Sequence, residues 1–359
     1  MKIGIYTITE GENYGNRLQN YAMQCILEDK GNDVKTLKRL YKGSELLRRI
    51  KLFVKKTFHV KYTYRDKRKI SFNKFNRKYI KFERERVADN NVFRKLGTYD
   101  CFVAGSDQIW NPNFGITTGT SFLQFAKGKK KVAISASFGV DNIEDRDKRG
   151  IYKKYLNDFD AISVREKAGA EIVKELIHIN VPVLIDPTLM LDKMEWEKIS
   201  QKPKMIRDKK YMLCYLLGKF EDDVIKKIKA FCEENRCDLI FLDNDCAYVK
   251  HGSDEEFAIS PSEFIWLIEH CEKVLTDSFH AVIFSIIFKK RIVAIPRDTS
   301  LGNMNNRLIN LAEEFKIKNL LSYDYNFNQE AEMDFDLIEK ILTKKKKNFN
   351  DFVERSLSD

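Results

Sequence analysis

Short apolar runs recur along this chain, and most end in a cluster of Gly, Ser, Asn or Asp from which a helical pattern departs. KIGIYTI (2–8) passes through the polar loop TEGENYGN into RLQNYAMQCILEDKG. There Leu18, Tyr21, Ala22, Cys25 and Ile26 repeat at helical spacing and Gly31 supplies the stop. DVKTLKR then reads as a second strand. Two strands joined through a helix cannot close as a hairpin; the helix is a crossover, and the strands lie parallel. That one unit steers the chain away from all-β and all-helical folds.

The pattern repeats. Strands are expected at YDCFVAGS (99–106), KVAISASFG (131–139) and DAISVRE (160–166), the last running into the helix KAGAEIVKEL. A second series starts near Val181 with VPVLIDPT, YMLCYLLG (211–218) and LIFLD (239–243). In SPSEFIWLIEHC, Ser260 and Glu263 form a capping box with Pro261 at the first helical position. KVLTD, a helix from Ser278 and RIVAIP complete another strand–helix–strand unit. At 359 residues the chain exceeds what one core supports. The expected architecture is α/β: two doubly wound Rossmann-like domains, 1–178 and 179–359, facing a central cleft. A C-terminal helix is expected to pack back on the first domain.

Charge is unevenly placed. The net charge is +11, and Tyr41 to Thr98 holds 19 Lys and Arg against 5 Asp and Glu, which leaves the rest of the chain at −3. This stretch reads as a basic helical insertion in the first domain. In ELLRRIKLFVKKTF, Leu47, Ile50 and Val54 fall at helical spacing between Arg48, Arg49, Lys51, Lys55 and Lys56. Such a helix can lie on an anionic membrane; an ordinary solvated insertion is the other reading. No helix-turn-helix, RNP or zinc-finger signature accompanies the charge, so no nucleic-acid partner is expected. The longest apolar run, about Ala281 to Phe288, is far short of a membrane span. MKIGIYTITE carries no export signal. Seven cysteines then read as reduced thiols of a cytoplasmic protein. Cys232, Cys237 and Cys246 with His251 lack any Cys-x-x-Cys spacing, so no metal site is expected there.

Open parallel sheets bind ligands beyond the carboxyl ends of their strands, and six polar clusters fall there. They are Asn13-Tyr14-Gly15-Asn16, Gly105-Ser106-Asp107, Ser135 with Ser137-Phe138-Gly139, Arg165-Glu166, Asp186-Pro187-Thr188, and Thr276 through His280. Any one of them is ordinary turn and cap chemistry. Six on one edge describe a site.

Taken together, NYGN before a helix, VAGSDQIWNP, SASFG, ISVREKAG, LIDPTLML and DSFHAVIFSIIFKK resemble the polysaccharide pyruvyl transferase family, in order from about residue 13 to 307. The resemblance implies a fold similar to GT-B glycosyltransferases. It also implies a transferase that moves the pyruvyl group of phosphoenolpyruvate onto a sugar as a cyclic ketal, releasing phosphate. The acceptor would be a capsule, exopolysaccharide or cell-wall glycan precursor, often lipid-linked. An enzyme using it would work in the cytoplasm, peripheral on the inner face of the membrane. No cofactor or metal is expected, since phosphoenolpyruvate is a substrate.

His280 matches the family's catalytic histidine, and acid/base work near neutral pH suits an imidazole. Its place in a first helical turn also offers free N–H groups to a phosphate. Arg165 is expected to bind the donor's carboxylate or phosphate and to assist catalysis. Arg297, Arg307 and Ser278 are further donor-side candidates. Several members have arginine where this chain has Ser278, so either another arginine contacts the donor or donor handling differs. Asn13, Tyr14, Asn16, Ser106, Asp107 and Trp110 are expected on the acceptor side, offering polar groups and an aromatic plane to a sugar; Trp110 reads equally well as core. A GT-B glycosyltransferase with a nucleotide-sugar donor is the alternative. A non-enzymatic anion- or membrane-binding protein would leave the six clusters unexplained.

Overall fold

The computed structural model describes residues 1–40, 62–88, 93–115, 117–204, 206, 209–242, 247–250, 254–256, 258–297 and 305–358. In the first half, β1 (Lys2–Tyr6) leads into α1 (Tyr14–Asp29) and β2 (Asp33–Arg39). After them come α2 (Tyr64–Tyr79), β3 (Phe82–Val87), β4 (Cys101–Ala104) and β5 (Lys130–Ala136). Next are α3 (Arg146–Leu156), β6 (Ala161–Val164) and α4 (Lys167–Ile177). The six strands form one parallel sheet in the order β3-β2-β1-β4-β5-β6. Its central strands are apolar along their length because helices can cover both faces.

The second half begins with the short α5 (Lys193–Glu197), then β7 (Tyr211–Tyr215), α6 (Asp222–Glu234) and β8 (Asp238–Leu242). A hairpin of β9 (Ala247–Lys250) and β10 (Asp254–Glu256) precedes α7 (Pro261–His270) and β11 (Lys273–Thr276). α8 (Phe279–Ile287), β12 (Arg291–Ala294), α9 (Asn306–Phe315) and α10 (Phe335–Leu357) complete it. The sheet order is β10-β9-β8-β7-β11-β12, parallel except for β9 and β10.

The structure corrects the expected element map at three places. Within the basic stretch 41–98, Phe82–Val87 is the edge strand of the first sheet, not a helix. The basic amphipathic segment 45–58 lies outside the described residues, as do Cys246 and His251. VPVLIDPT does not open the second sheet. Val183 makes a single parallel bridge to Val164, so this segment borders the first sheet. Pro182 has no N–H to donate, which limits a ladder at this point. The β9–β10 hairpin is a further strand pair that nothing in the sequence pattern announces.

One apolar cluster runs from Ile3, Tyr14 and Leu18 of the first half through Leu189 and Trp196 to Phe264 and Phe284 of the second. α8 is buried almost all round, as its uniformly apolar sequence demands. α10 returns to the first sheet, where Lys30 Nζ sits 2.7 Å from Glu354 Oε1 and Lys130 Nζ donates to the Ser358 carbonyl. Among the described residues no helix is long and apolar enough to cross a membrane.

Candidate active site

The first sheet reverses its order between β1 and β4, and the second between β7 and β11. Crevices open beyond the strand ends at such points. The first half brings the loops after β1, β4 and β6 and the start of α1; the second brings the turn from β11 into α8.

His280 is the second residue of α8. Its Nε2 lies 3.4 Å from Asp186 Oδ2, a polar contact between the two halves of the chain. Asp186 has no exposed side-chain surface. Its Oδ1 accepts from Thr188 N at 3.0 Å and Thr188 Oγ1 at 2.7 Å. Its Oδ2 accepts from Arg165 Nη1 at 2.8 Å and Ser106 Oγ at 3.3 Å. Burial alone would raise this carboxyl, but His280, Arg165 and Thr188 outweigh it and hold Asp186 well below the usual carboxylate range. A permanent anion therefore stands behind the imidazole. On the ring's other side is Gly15, in the first turn of α1, where a β-carbon would lie 2.1 Å from His280 Nδ1.

Arg165 is the cation that touches this pair. Arg165 spends Nη1 on Asp186, while its buried Nε and Nη2 have no hydrogen-bond partner. Arg17, also buried, donates from Nη2 to the Gly11 carbonyl at 2.6 Å and keeps Nε and Nη1 without a partner. Burial pushes Arg17 down to about 10, against the pull of Glu10, Glu12 and Asp107. Arg165 and Arg307 approach the same Phe279 ring, at 5.0 and 5.4 Å from its centroid. Burial, with Arg165 and Arg297 as like-charged neighbours, pushes Arg307 down to about 9. Arg307 Nη1 stands 2.9 Å from the amide of Gln108, whose oxygen accepts when turned toward it. Arg165 and Arg17, buried and with unused N–H groups, have the chemistry that suits a carboxylate or phosphate.

The other expected site residues divide. Asn13 caps α1, accepting from Asn16 N at 3.2 Å; both are half-buried at the crevice. Ser106 is fully buried and supports Asp186. Asp107 holds φ = 92°, a conformation non-glycine residues rarely adopt. It is fixed there because its carbonyl accepts from Ser137 N at 3.0 Å, and its Oδ2 is buried without a partner. Ser278 is the N-cap of α8. Arg297 is committed to Asp277, with Nε 2.7 Å from Oδ2, and Asp277 also ties down Leu217 N and Gly218 N.

Two expectations are corrected. Tyr14 does not face an acceptor: it is 1% exposed, stacks on Phe264 at 4.4 Å and donates its hydroxyl to the Ile259 carbonyl. Trp110 has no exposed surface, stacks on Phe122 at 5.3 Å and donates Nε1 to the Ser121 carbonyl. Both are core, because an indole or phenol with its polar tip satisfied is best buried. Glu166 likewise proves structural, accepting from Phe138 N at 2.7 Å and Gly139 N at 3.1 Å. Sequence alone assigns no role to Asp186, Arg17 or Gly15. The LIDPT and NYGN motifs signal two of them; nothing singles out Arg17.

A family model described as polysaccharide pyruvyl transferase matches residues 13–299. Among curated proteins none matches the chain. Among solved structures, one described as a UDP-N-acetylglucosamine 2-epimerase from Listeria monocytogenes aligns over 100% of this chain and 91% of its own. Its TM-score is 0.50 and its identity 10%. The Methanocaldococcus jannaschii UDP-GlcNAc 2-epimerase with UDP-GlcNAc and UDP covers 96% and 94%, at TM-score 0.49 and 16% identity. The spinosyn rhamnosyltransferase SpnG with thymidine diphosphate covers 99% and 94%, at TM-score 0.43 and 9% identity. The fold is the two-domain Rossmann-like arrangement of the GT-B kind.

Proposed function

The chain belongs to the polysaccharide pyruvyl transferase family, and from that premise we propose that it forms a pyruvate ketal on a sugar of a lipid-linked surface-glycan precursor, with phosphoenolpyruvate as donor. The observation that carries this reading is His280 held 3.4 Å from Asp186, beside the buried Arg165, whose Nε and Nη2 have no hydrogen-bond partner. Phosphoenolpyruvate is a compact anion with a carboxylate and a phosphate, and a guanidinium suits either end.

The reaction balances as follows. The donor's methylene carbon gains a proton and becomes a methyl group, leaving positive charge at the adjacent carbon. Two sugar oxygens bond to that carbon and its bond to the phosphate oxygen breaks. Of the two hydroxyl protons, one replaces the proton delivered to the methyl group and the other leaves with phosphate. His280 moves these protons. Nε2 is turned to Asp186, which fixes the orientation of the ring. Asp186 is too buried to touch a substrate. It positions His280, and Arg165, Ser106 and Thr188 position Asp186.

The test is phosphate release from phosphoenolpyruvate, measured with and without acceptor glycans. The expected result is release that depends on acceptor. Sugar transfer from a nucleotide sugar, with phosphoenolpyruvate left intact, would overturn the reading.

A further inference from the structure

We propose that the groove between α2 and α7 binds an extended anionic glycan. Lys67, Lys74 and Lys78 line it from α2, and Ser260 and Ser262 from the start of α7. The lysines stand seven and four residues apart, so at 100° per residue they fall within about 20° of one line along the helix. At about 1.5 Å per residue their row is about 16 Å long. That is too long for one phosphate and suits several charges in series. All three are exposed, and none makes an ion pair among the described residues.

The α7 wall adds an independent observation. Ser262 is 2% exposed and lines the groove, yet its hydroxyl has no hydrogen-bond partner. A buried hydroxyl left unpaired is costly and calls for a ligand atom. It sits in the first turn of a ten-residue helix, where the dipole favours an anion. The groove's carboxylate, Glu263, is turned to the capping box and accepts from Ser260 N at 2.7 Å.

The same geometry selects the partner. Phe72 and Phe75 of α2 are buried in the protein, so the helix has no apolar face to lay into a bilayer. Phe75 is covered, and Tyr79 is half-buried with Lys78 Nζ over its ring at 4.8 Å, so the groove's described lining holds no row of open aromatic rings for nucleic-acid bases. Hydroxyl-lined walls with spaced cations fit an acidic polysaccharide. Both helices pack on the start of α1: Tyr14, next to Gly15, meets Phe72 of α2 at 5.1 Å and Phe264 of α7 at 4.4 Å. The identity of the polymer as acceptor rests on the transferase reading above; the groove's affinity for it does not.

The test is calorimetric binding of hexagalacturonate to the full chain, with neutral maltohexaose for comparison. Hexagalacturonate is expected to bind, less tightly as salt rises, and maltohexaose much more weakly. The triple change Lys67→Glu, Lys74→Glu, Lys78→Glu, all at exposed positions, is expected to weaken binding at least tenfold. Ser262→Ala should weaken it less, and His280→Gln, which removes catalysis, should leave it unchanged. Equal binding of both sugars, no binding of hexagalacturonate, or full binding by the triple variant would overturn the proposal. So would binding of oligo(dT) or phosphatidylglycerol vesicles without binding of hexagalacturonate. Hexagalacturonate binding by a wild-type chain that releases no phosphate from phosphoenolpyruvate with any acceptor would overturn the transferase reading instead.

Discussion

A β-carbon on Gly15 would stand 2.1 Å from Nδ1 of His280, although the two residues lie in different halves of the chain. The glycine of NYGN is thus the seat on which the imidazole rests. In an exposed helix, Gly→Ala would stabilise by about 0.5–1 kcal/mol. Here the added methyl must displace the ring. Gly15→Ala is expected to reduce turnover by at least about a hundredfold while the protein stays folded, as steady-state kinetics beside circular dichroism would show. Full activity in that variant would mean the ring is not held by this contact.

Asp186 should announce itself through acid stability. Its carboxyl is depressed in the folded protein, so its stabilising contribution is complete above the unfolded value near 4 and is lost as pH falls below it toward the folded value. Urea midpoints of wild type and Asp186→Asn are expected to differ at pH 5 and to converge as the pH drops below about 4. A gap that persists unchanged at pH 3 would argue against an ionised Asp186.

Arg165 has two tasks, and substitutions separate them. Arg165→Ala leaves a buried carboxylate without its partner, a change that typically costs about 3–5 kcal/mol, and it also weakens donor binding. Arg165→Lys is expected to recover part of the stability but little of the donor affinity, because lysine lacks the planar fork. Thermal melts with and without phosphoenolpyruvate read both quantities.

The repulsion that Arg307 feels from Arg165 and Arg297 predicts that any suitable anion stabilises the fold. Phosphoenolpyruvate, and more weakly inorganic phosphate, should raise Tm. Arg307→Gln should shrink that rise while leaving the unliganded Tm equal or higher. A larger ligand-induced rise in Arg307→Gln would remove Arg307 from the donor site.

Much of this site is legible in the amino-acid sequence, for a physical reason. Parallel strands ending in Gly, Ser and Asp reveal which loops share an edge, and His280 at a helix start needs no tertiary information. What sequence cannot show is which polar residues face one another across the two halves. Asp186 has the pattern of an ordinary helix cap, and its 3.4 Å approach to His280 comes only from how the segment after α4 borders the first sheet. Tyr14 and Trp110 mislead because an aromatic ring among polar neighbours looks the same in sequence whether it faces a sugar or fills a core. The β9–β10 hairpin and the β3 strand are obscured by charge, which weakens the alternation that marks a strand.

The most direct measurement is acceptor-dependent phosphate release from phosphoenolpyruvate by His280→Gln, with donor binding checked on the same sample. Glutamine keeps the polar contact with Asp186 but cannot shuttle a proton. If His280 moves the protons, donor binding stays intact and turnover falls by at least about a hundredfold, the scale of a lost general acid/base. Wild-type turnover by the folded variant would contradict that role.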